Sequence, residues 1–454
     1  ASIYLPGALF AASLPDTLAE AHRLLRKDDV AGAAELTRKA AAWMPDSAEV
    51  HEMLGELHFR QGDLAGAQLD FQSAAMFDGK LARAWWGLGR VADCNSLHRT
   101  AEQYFRKAHD LDPGDPDILF SYAHLLQLPE RLDALRRYLT LAAHYAEAER
   151  LEDVRRQIGV EEQVGGRELG LLASPYQRVE IPLVVLPHDE GNIRGFGVPV
   201  SINGSRPLRL LLDTGASGII LRAKAARKAG VERLAETVVR GIGDGGDRET
   251  YGAIAAEVRI GNLVFDDYLL DVADRSALHG EDGIIGTDVF ADFLVTLDFR
   301  RRKLVLNPLP GGRPKRGQTC DRQVLSDFIP VFRVSHLFLV ATKISDTMPV
   351  LFILDTGASS TMISTKAASA ATRVRADSNT RLRGVSGSVR RVSRAEDVML
   401  EFAGFRQRNR NAIALDLNHL SKETGIEVSG LLGLPLLQAF TITLDYRDGL
   451  VKFE

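Results

Sequence analysis

One short pattern occurs twice in this chain, and no other feature of the sequence limits the architecture as much. Leu210, Leu211 and Leu212 lead into Asp213, Thr214, Gly215, Ala216 and Ser217; Phe352, Ile353 and Leu354 lead into Asp355, Thr356, Gly357, Ala358 and Ser359. Each copy is an apolar run of the buried-strand type that ends in a tight turn presenting an aspartate. The downstream segments are duplicated too. A glycine-rich loop starts at Gly241 after Asp213, and another at Gly384, at almost the same remove from Asp355. Gly283, Ile284, Ile285 and Gly286 are matched by Gly430, Leu431, Leu432 and Gly433, and Leu297 and Asp298 by Leu444 and Asp445. A single Asp-Thr-Gly fits an ordinary turn; two copies with matched elements at like spacing require one unit built twice.

The apolar runs between these landmarks are short and alternate with polar residues, as half-buried strands do. The pattern predicts two all-β lobes, residues 178–310 and 325–454. A linker is expected at 311–324, where Pro308, Pro310, Gly311, Gly312 and Pro314 gather. Residues 15–165 differ in kind. They are rich in Ala, Leu, Arg and Glu and repeat with a period of 34: Asp29 and Asp63; Ala33, Ala67 and Ala101; Ala40, Ala74 and Ala108; Gly55 and Gly89; Phe71 and Phe105. Small residues at such positions let two helices cross closely, and a helix pair that cannot bury its apolar face alone must stack on its neighbours. With Trp85, Leu88 and Gly89 where a Trp-x-x-Leu-Gly signature opens a unit, the array resembles the tetratricopeptide repeat. Three units are recognisable, and a fourth carries Ala123, Leu135 and Ala142. The resemblance implies an α-solenoid with a concave face for a peptide or protein partner; a plain scaffold is an equal reading. Residues 1–14 form an N-terminal extension.

The duplicated lobes resemble the aspartic peptidase clan, as two retropepsin-like units paired in the pepsin-like manner, and are similar to the lobes of bacterial aspartyl proteases. The resemblance implies a double-psi acid-protease fold, Asp213 and Asp355 as the catalytic pair, a peptide or protein substrate, and neither cofactor nor metal. It also implies that Thr214 and Thr356 hydrogen-bond across the lobe interface, and that Gly241, Ile242 and Gly243 with Gly384, Val385 and Ser386 form two flaps. Gly215 and Gly357 let the backbone turn without a Cβ. Ser217 and Ser359 are expected to bond the outer oxygen of each carboxylate. The chemistry is dictated by charge. Two carboxyls about 3 Å apart cannot both ionise, so one takes a proton from a water while the other donates to the substrate carbonyl. The linker is long enough for the lobes to pair within one chain, pairing between chains being the alternative. A rival function is a catalytically silent protein that uses solenoid and lobes to hold peptides.

Composition narrows the remaining choices. A net charge of -4 over 454 residues argues against a nucleic-acid or anionic-membrane partner, and no apolar run is long enough to span a bilayer. Cys94 and Cys320 fall in different segments, which excludes a disulfide framework. His188, Asp189 and Glu190 lack a second histidine at helical spacing and read as a solvated loop, not a metal site. Asp282 and Asp288, flanking the Gly-Ile-Ile-Gly element, read as surface or turn residues. No Gly-x-Ser-x-Gly elbow joins a strand to a helix. The opening stretch from Ala1 is mildly apolar without a basic region, which fits a chain that followed a removed signal peptide and favours a periplasmic or secreted location over a cytoplasmic one.

Overall fold

Helices come first. The computed structural model describes residues 13–144, 146–187, 193–246, 248–273, 281–313 and 325–454, and its helical part runs α1 (Leu14–Arg26), α2 (Val30–Trp43), α3 (Ala48–Arg60), α4 (Leu64–Phe77), α5 (Ala82–Cys94), α6 (His98–Leu111), α7 (Pro116–Ala123), α8 (Glu130–Ala142) and α9 (Ala148–Val164). The first helices of successive pairs begin at residues 14, 48, 82 and 116, in steps of 34. Asp29 and Asp63 owe their matching spacing to a shared task. Each caps the second helix of its pair, accepting from the N–H of Gly32 at 2.8 Å and of Gly66 at 2.9 Å. Gly55 and Gly89 are the close-crossing points: a Cβ there would lie 2.7 Å from the Phe71 ring and 2.6 Å from the Phe105 ring. The chain is therefore a tetratricopeptide-like solenoid followed by a β-rich, two-lobed body.

Each lobe has its own sheet, with the aspartate strand inside it. In lobe 1, Leu208–Asp213 lies between Ile193–Ile202, antiparallel, and Gly283–Gly286, parallel, with Gly286 opposite Asp213. In lobe 2, Val350–Asp355 lies between Leu337–Ile344 and Gly430–Gly433, with Gly433 opposite Asp355. The two apolar-Gly elements thus run directly beside aspartate strands that lie far upstream of them in the sequence.

The lobes are joined by more than a linker. Among the described residues, six strands form a sheet common to both: Val179–Pro182, Phe293–Asp298 and Lys303–Pro308 from lobe 1, and Ile329–Pro330, Thr441–Asp445 and Leu450–Phe453 from lobe 2. Its middle is the antiparallel pairing of Phe293–Asp298 with Thr441–Asp445. Thr296 faces Thr443 there, their hydroxyls 2.9 Å apart. A strand ending each lobe would otherwise leave an open edge, and pairing the two edges removes both. Residues 314–324, most of the expected linker, lie outside the described residues, as do Cys320, the His188–Glu190 stretch and the N-terminal extension up to residue 12.

The solenoid docks on lobe 2 through the turns between paired helices. Gly62, between α3 and α4, sits against Leu351 and Ile426, and Ser96, between α5 and α6, against Gly449. The two turns stand one repeat period apart. Phe59, Leu64, Val91 and the buried, free Cys94 share one apolar cluster with Leu339, Leu351, Ile353 and Val428. The N–H of Glu427 donates to the carbonyl of Arg60 at 2.8 Å. At the other end, α9 meets the Glu232–Val239 strand of lobe 1, where Arg240 makes two 3.0 Å hydrogen bonds to Asp153.

Candidate active site

Asp213 and Asp355 end their strands at the lobe interface, within hydrogen-bonding reach of each other. Two threonines lock that approach. Thr214 Oγ1 donates to the carbonyl of Leu354 at 2.7 Å and accepts from the N–H of Thr356 at 3.0 Å. Thr356 Oγ1 donates to the carbonyl of Leu212 at 3.1 Å and accepts from the N–H of Thr214 at 3.0 Å. Both threonines are fully buried, so all four bonds are shielded from water. Gly357 is glycine because of this packing: a Cβ on it would sit 2.1 Å from Asp213 Oδ2.

Each carboxylate also has a local donor. Asp213 Oδ1 accepts from the N–H of Gly215, and Asp355 Oδ1 from the N–H of Ala358, both at 2.8 Å. Burial raises both carboxyls above the ordinary aspartate value. For Asp355 the negative charge of Asp213 adds to burial and pushes it far up. For Asp213 the Gly215 N–H, then the Arg194 guanidinium, pull back down. The pair therefore holds one proton between its two carboxyls.

The two glycine-rich loops meet over the pair. Gly245 N–H donates to the carbonyl of Ser386 at 2.8 Å, Asp244 N–H to that of Ser388 at 3.1 Å, and Ser386 N–H to that of Ile242 at 3.1 Å. Gly241 N–H donates to Ser386 Oγ at 3.2 Å. Beneath them lies a cavity of about 810 Å³, lined by Asp213, Asp355, Gly241, Ile242, Gly384 and Val385 among others. Gly243 faces the Ser386–Gly387 backbone across the contact.

The serines are placed differently from the expectation. Ser217 Oγ donates to Asp288 Oδ2 at 2.7 Å, and Asp288 also accepts from the N–H of Gly218 at 2.9 Å. Ser359 is exposed. The local donors that the structure gives the two carboxylates are backbone N–H groups, those of Gly215 and Ala358. Asp288 lies in the short turn Thr287–Phe290, as a turn residue was expected to, and from there it ties down the outer half of the Asp213 loop. Lobe 2 has Pro435 at the matching place, just beyond Gly433.

Two residues that the sequence reading missed complete the site. Arg194 Nη1 donates to the carbonyl of Gly357 at 2.8 Å, and His336 Nε2 faces the carbonyl of Gly215 at 3.3 Å. Each precedes its own aspartate by the same number of positions and reaches the glycine of the other lobe. That equal spacing was the available signal. Arg194 pairs with the buried Glu281 at 3.5 Å; lobe 2 has the apolar Val428 in the matching place. Among the described residues, no cluster of His, Cys, Asp and Glu is arranged to hold a metal ion.

Comparison with known proteins bears on the duplicated unit. The model of one family, aspartyl protease, matches residues 198–289 and again residues 340–436, both matches beginning at the same offset ahead of an Asp-Thr-Gly aspartate. Each lobe thus carries one match to the aspartyl protease family model. No curated protein matches the chain. Among solved structures, it is similar to a retropepsin-like aspartic protease from Rickettsia conorii, at 21% identity over 30% of this chain and 96% of that one, TM-score 0.22. It is also similar to Pseudomonas aeruginosa pilF, at 22% identity over 33% of this chain and 68% of that one, TM-score 0.24. A Thermobaculum terrenum O-GlcNAc transferase mutant shares 23% identity over 31% of this chain, TM-score 0.25; the match spans only 28% of that transferase. Among the described residues, no helix is long and apolar enough to cross a membrane.

Proposed function

We propose that this chain, with its two aspartyl protease-family lobes, is an endopeptidase that hydrolyses peptide bonds with a water held between Asp213 and Asp355. The observation that carries the reading is the coupled carboxyl pair, fixed by the reciprocal threonine bonds and roofed by both flaps. In the mechanism, an extended peptide enters when the flap-to-flap bonds part. Closure then excludes bulk water. Asp213, kept ionised by the Gly215 N–H and Arg194, takes a proton from the water as its oxygen attacks the carbonyl carbon. Asp355 donates its proton to the carbonyl oxygen. The tetrahedral intermediate collapses with protonation of the leaving amine, and the pair again holds one proton.

The solenoid recruits the protein to be cut. Its second helices end in Trp43, Phe77 and Leu111, which recur at the repeat period and are 55%, 51% and 37% exposed. These lie at the helix ends opposite the turns that dock on lobe 2, which leaves an apolar row open to a partner. The proposal is tested by incubating the full chain with an unfolded protein, alongside Asp213→Asn and Asp355→Asn. Cleavage by the parent and loss of at least about a hundredfold in each variant, with unchanged circular dichroism, is the expected result. Full cleavage by both variants overturns the mechanism, whereas no cleavage by the parent chain makes the peptide-holding scaffold the better reading.

A further inference from the structure

Asp271 breaks the two-fold pattern of the cavity. In lobe 1, Ile219–Arg222 runs parallel to Leu263–Ala273 with Ile220 opposite Asp271. In lobe 2, Met362–Ser364 runs parallel to Phe405–Leu415 with Met362 opposite Ile413. Ile220 and Met362 each follow their catalytic-loop aspartate at the same interval, so Asp271 and Ile413 are counterparts. Ile413 is a buried member of an apolar cluster, the residue type that packing favours there. Lobe 1 puts a carboxyl in that place and lets it line the cavity.

Among the described residues, no basic side chain is paired with that carboxyl. Thr237 Oγ1 donates to Asp271 Oδ1 at 2.7 Å, and the Thr237 and Thr250 hydroxyls are 2.6 Å apart. Desolvation holds the carboxyl above its ordinary value, and the Thr237 hydroxyl pulls it back down. Beside it the cavity wall is apolar, formed by Leu211, Ile220, Val239 and Ile284. An apolar wall next to a desolvated carboxyl is complementary to a lysine or arginine side chain, whose methylene stem covers apolar surface while its charged end pairs with carboxylate.

We infer that Asp271 anchors a subsite for a basic side chain of the bound peptide, in lobe 1 and next to the carboxyl pair. The inference rests on the peptide-cleft reading of the site and names one element of its selectivity. The test uses non-cleavable reduced-amide peptides, binding to the full chain by fluorescence anisotropy. One side chain, Lys, Arg, Met or Glu, is moved through the positions flanking the reduced bond. At one position Lys and Arg bind at least about tenfold tighter than Met, and Glu binds more weakly than Met. In Asp271→Asn and Asp271→Ile the Lys-to-Met ratio at that position falls to about one. A bond that merely ties Thr237 to the cavity floor would leave the ratio untouched, since Asp271→Asn keeps an acceptor for that hydroxyl. Equal binding of Lys and Met at every position, a ratio that survives Asp271→Ile, or no binding of any peptide overturns the inference. Because binding is read apart from turnover, the two proposals fail separately. A Lys preference without cleavage of any substrate sinks only the peptidase reading, and cleavage without preference sinks only the subsite.

Discussion

The two lobes follow one chain path yet support their aspartates in different ways. Lobe 1 has an Arg194–Glu281 ion pair, Asp288 under the catalytic loop and Asp271 in the cavity wall; lobe 2 has His336, Val428, Pro435 and Ile413 in the matching places. Lobe 2 is also fused to the solenoid by a shared apolar cluster, whereas lobe 1 meets it through α9 at Arg240. A duplicated unit would by itself give two equivalent carboxyls. Unequal surroundings decide which of them keeps the shared proton, so the asymmetry is where this chain departs from a symmetric pair.

The comparison can be broken most forcefully at its symmetric centre. Thr214→Val and Thr356→Val each leave one backbone N–H and one carbonyl unpaired in a dry interface, about 1–3 kcal/mol for each group. Denaturant unfolding is expected to show losses of similar size for the two. A large loss in one and none in the other would mean that the lattice is not reciprocal. A second effect belongs to Asp355. Its carboxyl is raised on folding, so the folded chain holds an extra proton between the unfolded and folded values. That contribution is intact below the unfolded value and is lost as pH rises through the window. Asp355→Asn removes the penalty and raises the melting temperature at neutral pH. A lower melting temperature would place the strain elsewhere.

A third experiment addresses the unequal cations. Arg194→Gln together with Glu281→Gln removes the charge that holds Asp213 down without stranding a buried carboxylate. The low-pH limb of kcat/KM then moves up. His336→Gln in lobe 2 is expected to move it less, because Arg194 acts on Asp213 more strongly. The smallest effect is at α9. Arg240 and Asp153 are only partly buried, so Asp153→Asn costs under about 1 kcal/mol. It loosens the lobe 1 flap arm alone, and steady-state kinetics should show a change of KM with kcat nearly preserved.

The sequence was most informative where structure repeats within it. The 34-residue period placed the helix pairs because caps such as Asp29 and Asp63 and crossing points such as Gly55 and Gly89 are local requirements. The duplicated Asp-Thr-Gly segments placed the paired aspartate loops for the same reason. The six-stranded sheet was not legible, since Val179–Pro182 and Thr441–Asp445 are short strands whose shared sheet is set by lobe pairing. Nor was the docking of Gly62 and Ser96 on lobe 2, because interhelix turns carry no mark of the surface they meet. Ser217 was assigned to the wrong carboxylate because Asp213 is near in sequence, whereas Asp288 arrives through the parallel strand Gly283–Gly286.

The central claim is that two acids distant in the chain act on one water as a single unit. Isothermal titration calorimetry with a statine-type peptide, whose hydroxyl mimics the attacking water, examines that unit directly. The account predicts submicromolar binding to the parent chain and a loss of about a hundredfold or more in Asp213→Asn and in Asp355→Asn alike. Equal affinity in all three proteins would contradict it.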